Sequence, residues 1–219
     1  MAMTFPLAAS AFLDRFPVSR ITFDLPEQSE LSQTGGGVVY AADLAPRLWQ
    51  GEIRLDQLTP AEEADAMALI DLLRGPGRTA MIYDLRRPTP RADPKGTILG
   101  GASPVIQQLA ANRREVGISG LPAGYELRRG DYMAWDYLGR RAVHKVVSAS
   151  VTASGAGVMP LVEVVPAIRP GVTIGTAVRL TRAACVAMLV PGSVSSGATG
   201  GNRLTDGVTF RFCQTLEAL

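Results

Sequence analysis

Histidine and cysteine, the side chains most used in catalysis and metal binding, are what this chain has least of: His144 alone, and Cys185 with Cys213, in 219 residues. Any histidine general base must therefore be His144, and no G-x-S-x-G elbow offers it a serine nucleophile. The cysteines lie far apart and outside any CxxC spacing, so a zinc site built on them runs short of ligands. They read as buried thiols of a protein made in a reducing compartment, with a single disulfide as the alternative. HExxH, P-loop and EF-hand patterns are missing, and Gly35-Gly36-Gly37 is not followed by Lys-Ser/Thr. Together these gaps predict no cofactor, no metal and no enzymatic role. A long apolar run is missing too. Met1 to Leu13 is weakly apolar without a basic leader, which argues against a signal peptide or membrane span and predicts synthesis in the cytoplasm.

What is present is a composition for folding: 47% hydrophobic residues, punctuated by 23 Gly and 15 Pro. That length supports one good core or two small ones. The net charge of +2 is uneven, with 10 Lys+Arg against 13 Asp+Glu in residues 1–95 and 12 against 7 in residues 96–219. Neither part is basic enough to demand nucleic acid.

Local signals agree best between Leu48 and Leu85. Trp49-Gln-Gly-Glu-Ile-Arg-Leu55 alternates as a strand, with Trp49, Ile53 and Leu55 on its apolar side. Thr59 fits an N-cap, Pro60 the first helical position and Glu62 the return half of a capping box. Ala66, Leu69, Ile70 and Leu73 then recur at helical spacing. Gly75-Pro76 ends the helix, and Thr79 to Asp84 predicts a second strand.

Elsewhere the pattern is mostly β. Ser19 to Leu25 alternates as an opening strand, Glu27 to Gly37 reads as a polar loop, and Val38 to Ala41 as a short strand. Residues 86–96 carry three prolines in a polar setting and form the clearest linker, so the chain divides into a strand–helix–strand part, 1–95, and a β-rich part, 96–219. In the latter, strands near 115–119, 125–128, 131–137, 140–152, 158–165, 176–180, 184–190 and 207–214 suggest a small antiparallel barrel or sandwich. Two hairpins are expected, one turning at Leu138-Gly139 and one pairing Val147 to Thr152 with Val158 to Val165. Gly192 to Asn202 reads as a flexible loop.

Four arginine pairs fall near predicted turns or strand ends: Arg86-Arg87, Arg113-Arg114, Arg128-Arg129 and Arg140-Arg141. Arginine forks suit bidentate pairing and protein interfaces, and aromatics do not interleave with them as a nucleic-acid platform needs. Arg86, Arg87, Arg128, Arg129, Arg140 and Arg141 are therefore candidate subunit-interface residues. Met133, Trp135 and Tyr137 share one strand face with Tyr132 opposite. That is a core stripe by default, and a sugar-stacking platform of Tyr132, Trp135 and Tyr137 in the alternative. His144, mid-strand, reads as structural.

The order of features resembles minor tail proteins of long-tailed bacteriophages. The likeness is carried by a strand with Trp49-x-Gly51, a helix introduced by Leu58-Thr-Pro-x-Glu62, the run Leu72-Leu-Arg-Gly-Pro-Gly-Arg-Thr-Ala-Met-Ile-Tyr-Asp84 and the Pro-rich break after it. Gly124 to Met133, Val164 to Pro170 and Gly175 to Leu180 extend it, so it covers most of residues 46–190. Within these the chain is most similar to the distal tail protein. The resemblance implies a β-sandwich belt domain with one helix, Thr59–Arg74, flanked by Trp49–Leu55 and Thr79–Tyr83. It also implies a hexameric ring joining the tail tube to the hub or baseplate, DNA passing through the channel without specific binding, and a virion location after assembly in the host cytoplasm. The family offers no active site to transfer, and no membrane contact is expected. The alternatives are another tail component, hub or tube subunit, or a carbohydrate-binding β-module.

Overall fold

A computed structural model describes residues 3–217; residues 1, 2, 218 and 219, the outer ends of the two predicted parts, lie outside the described residues. The first 85 residues supply β1 (Val18–Ile21), β2 (Ser29–Gln33), β3 (Val39–Asp43), β4 (Gln50–Leu55), α1 (Pro60–Leu73) and β5 (Ala80–Ile82). Next come β6 (Val105–Leu109), β7 (Glu115–Ser119), β8 (Glu126–Arg128), β9 (Tyr132–Tyr137), β10 (Arg140–Val146), β11 (Ser150–Thr152), β12 (Met159–Val165) and β13 (Val178–Arg179). The chain ends with β14 (Cys185–Leu189), β15 (Ser195–Thr199) and β16 (Thr205–Gln214). The protein is mainly β, with a single α-helix among the described residues.

The helix forms where the sequence places it. Thr59 Oγ1 accepts from the Glu62 amide at 3.4 Å while the Glu62 carboxylate accepts from the Thr59 amide at 2.9 Å, which satisfies two donors that the first turn otherwise leaves open. Ala66, Leu69, Ile70 and Leu73 face the core.

Six antiparallel strands make the first sheet, in the order β1-β4-β16-β14-β5, with β15 continuing beside β16. β4 and β5 flank the helix in sequence, yet β16 and β14 lie between them. The C-terminal strands thus return to the N-terminal part. This corrects the division at residue 95: Ala183 to Phe212 share a core with Leu7 to Tyr83, because Val208, Phe210 and Phe212 complete the apolar face that Trp49, Ile53 and Leu55 begin. Only the outward crossing, at residues 86–96, carries a Pro-rich signal; the return, between Leu180 and Ala183, does not.

Between the crossings, β13-β9-β10-β12-β7-β6 form a second antiparallel sheet that curls shut. Its ends meet through Ile106 N–H to Thr176 O at 2.8 Å, Gly175 N–H to Ile106 O at 2.7 Å and Val178 N–H to Pro104 O at 2.8 Å. The result is a small barrel inserted in the chain of the first sheet, filled by Ile106, Val116, Ile118, Met133, Trp135, Val146, Val162 and Val178. The β9–β10 hairpin has the expected two-residue turn, with φ of 46° at Leu138 and 69° at Gly139, the left-handed pair that matches strand twist. The second expected hairpin does not pair as such. β11 joins β8 in a separate two-stranded sheet, while β12 lies between β10 and β7. Two segments read as loops are strands, β2 and β15, both rich in Ser and Gln or Gly and held by pairing rather than by apolar burial.

The outer face of the β9–β10 hairpin packs on the first sheet. Tyr132, Ala134 and Val143 join its core, the Trp49 indole N–H donates to Val143 O at 2.8 Å, and Phe23 stacks on Trp49 at 4.9 Å. The predicted linker is pinned as well. The Arg91 amide donates to Asp131, and buried Asp93 accepts from the Ile98 and Leu99 amides.

Candidate interaction surface

The candidate stacking residues are not available to a ligand. Trp135 is 0% exposed, and Tyr132 and Tyr137 are buried, because strand alternation turns Trp135 and Tyr137 into the barrel and Tyr132 onto the first sheet. The core-stripe reading stands, and a sugar platform of these three is corrected. His144 is fully buried beside them, stacked on Trp135 at 4.2 Å. Its Nδ1 lies 2.8 Å from Pro166 O, and its Nε2 has no partner among the described residues. Burial, with the charge of Arg169 nearby, pushes the imidazole down to about 4 against the opposing bond to Pro166 O.

Most of the candidate arginines are engaged within the chain. Arg86 holds the buried Asp84 with two hydrogen bonds, 2.8 and 3.0 Å, and the Tyr132 hydroxyl donates to the same carboxylate at 3.3 Å. Arg87 donates to Gly130 O at 3.1 Å and Arg129 to Val147 O at 2.8 Å. Arg128 donates to Glu126 at 2.7 Å, and with Ser150 it holds that carboxyl down to about 2. Arg141 lies between barrel and sheet. It donates twice to Asp136 and once to Met81 Sδ, and its carbonyl accepts from Gln214. Arg140 is exposed beside the β9–β10 turn. Arg114 lines a groove of about 510 Å³ with Arg47, Asp43, Glu163 and Pro166.

Cys185 is buried and Cys213 half-buried, and both are free thiols. Burial pushes the Cys185 thiol up to about 12. Among the described residues, no three His, Cys, Asp or Glu side chains gather as metal ligands, and no helix is long and apolar enough to cross a membrane.

Apolar residues are exposed together on an element whose first strand falls in the segment expected to be a loop. Among the described residues β2 and β3 pair only with each other, from Ser29↔Asp43 to Gln33↔Val39, around a turn closed by Thr34 and Val38. Alternation puts Leu31, Val39 and Ala41 on one face and Val38, Tyr40, Ala42 and Leu44 on the other. Neither face is covered: Leu31 is 69% exposed, Tyr40 62% and Leu44 67%. A lone two-stranded hairpin is marginal in water, and clustered exposed apolar groups mark contact surfaces. At its root, the Arg47 guanidinium bonds the Leu25 and Pro26 carbonyls and fixes the direction in which this arm leaves the sheet. The signal for it was present in Val38-Val39-Tyr40, but Glu27 to Gly37 offers no apolar alternation to announce its partner strand. No family model matches the chain, and no curated protein matches it.

Proposed function

We propose that the protein is a structural subunit of a phage-type tail tip, assembling as a ring, six-membered by the resemblance set out above, between tail tube and hub or baseplate. The observation that carries this reading is the β2–β3 arm, a two-stranded element exposed on both faces and lined with Leu31, Val38, Val39, Tyr40 and Leu44. Such an element gains little from its own chain and much from burial against another. Rings arise when one patch meets a different patch on the next copy and the rotation closes, and a projecting arm on one side supplies such a patch.

Native mass spectrometry and electron microscopy of the purified chain, alone and with tail-tube and hub partners, test it. A closed ring of six is expected. Three-fold order would point to a hub and open polymers to a tube subunit; a strict monomer at high concentration, with partners present, would sink the proposal.

A further inference from the structure

One end of the barrel sets cations around apolar groups, and the described chain does not neutralise them. The β6–β7 turn closes through Arg113 N–H to Ala110 O at 3.0 Å, with Arg113 in the left-handed region at a φ of 54°. The segment after β12 is pinned to that turn by Ile168 N–H to Arg113 O at 2.7 Å. Between them lies a pocket of about 240 Å³, lined by Leu109, Ala110, Ile168 and Val172 with Arg113 and Arg169, and by no described carboxylate. Gly171 at the same pocket meets Leu138 of the β9–β10 turn so closely that a Cβ there would lie 2.4 Å from Leu138 Cδ1. Leu138 is itself exposed, so apolar surface continues past the pocket. The ion pairs among the described residues use none of Arg113, Arg140 and Arg169. Glu115, the nearest acid along the chain to Arg113, accepts instead from Asn112 at 3.0 Å. Arg169 is half-buried, and its one side-chain bond among the described residues runs from Nη2 to Arg47 O at 3.2 Å. Burial pushes this guanidinium down and Arg140 pushes it the same way, against Tyr137. A guanidinium drawn from water without a counter-charge is costly, and a carboxylate brought to it from outside offsets that cost.

We propose that this end of the barrel binds a short acidic, apolar peptide segment of a different protein, with a carboxylate on the Arg169 fork and an adjoining apolar side chain in the pocket. A guanidinium takes a carboxylate through two parallel bonds, and Arg113 and Arg140 add positive field around it. The pocket is smaller than the ~300–1,000 Å³ typical of sites for drug-sized ligands, so it suits one side chain. Leu138 then extends the contact along a peptide, as exposed apolar groups at a docking surface do. Charge argues against a second copy as the occupant: the chain carries a net +2, with 12 Lys+Arg against 7 Asp+Glu in residues 96–219, so two barrels would meet with like charge. The site lies apart from the β2–β3 arm and does not depend on ring formation.

The test selects short randomised peptides on the immobilised full chain, then measures the selected sequence by fluorescence anisotropy against the wild type, Arg169→Gln, Arg113→Asn and Leu138→Asn, with thermal melting as the control for folding. Selection should enrich Asp or Glu beside Leu, Ile or Phe. Arg169→Gln should weaken binding roughly thirtyfold, Arg113→Asn roughly threefold with a shallower salt dependence, and Leu138→Asn roughly fivefold. Asparagine is chosen at 113 and 138 because it tolerates the left-handed backbone that both positions adopt, so these two carry the test if Arg169→Gln lowers the melting temperature. Selection without acidic, apolar enrichment, or a selected peptide that binds all three variants as it binds the wild type, would overturn the proposal. Hexanoate binding as tightly as the selected peptide would overturn the peptide in favour of a free carboxylate. Self-association that is lost in Arg169→Gln and Leu138→Asn, read by sedimentation velocity, would overturn the choice of a different protein. A chain that stays monomeric yet selects acidic, apolar peptides would support this site while removing the ring reading.

Discussion

At the scale of single residues, burial rather than reactivity sets the behaviour of the rare side chains. His144 meets Trp135 on one face and Pro166 O at Nδ1, so a proton on Nε2 finds no acceptor. Its folded pKa, about 4, lies below the ordinary 6.5. The unfolded chain therefore takes up the proton first, and stability present above pH 6.5 is lost as pH falls from 6.5 towards 4, by about 3 kcal/mol in full. Urea midpoints across that range should fall accordingly; a flat profile from pH 7 to 4.5 would show that the imidazole is not sealed. The two thiols differ in the same sense. Alkylation of the native protein should modify Cys213 first and leave Cys185 until the chain unfolds, read by mass spectrometry after timed quenching. Equal rates would contradict the burial of Cys185.

At the scale of elements, the best-announced pieces have checks of their own. Thr59→Ala removes the N-cap bond of α1 and should cost about 1 kcal/mol in the denaturant midpoint. An unchanged midpoint would show that the capping box contributes nothing here. Gly51 stands where the backbone after β1 crosses close to β4, and a Cβ there would sit 1.8 Å from Thr22 O. Gly51→Ala should therefore destabilise by about 2–3 kcal/mol as the edge strand is forced outward. This crossing also accounts for glycine two residues after Trp49: position 51 lies on the same face of the strand as the indole, where the Thr22 carbonyl and the Phe212 ring leave no room for a side chain.

At the scale of the whole molecule, the barrel is joined to the sheet by more than its two covalent crossings. The Trp49 bond to Val143, the Tyr132 bond to Asp84 and the Gln214 bond to the Arg141 carbonyl all span the boundary. Lys145 lies over Trp49 and Tyr132 at 5.1 and 5.4 Å. Sheet and barrel should accordingly unfold in one calorimetric transition, with matching heat and van't Hoff enthalpies. Two resolved transitions would mean that the boundary is weaker than these contacts indicate.

Sequence alone determined what depends on neighbours along the chain: the capped helix, with its stripe from Ala66 to Leu73, the Leu138-Gly139 turn and the alternation of most strands. Short-range spacing and turn chemistry fix those locally. Tertiary structure decided which strands meet. That Phe210 and Phe212 complete the sheet begun by Trp49 and Ile53, and that Trp135 and His144 face a closed barrel interior, are long-range pairings no local pattern encodes. The arm lay hidden for the same reason. Ser29 to Gln33 has little strand propensity of its own, and only its register with Val39 to Asp43 makes it a strand and leaves two apolar faces open.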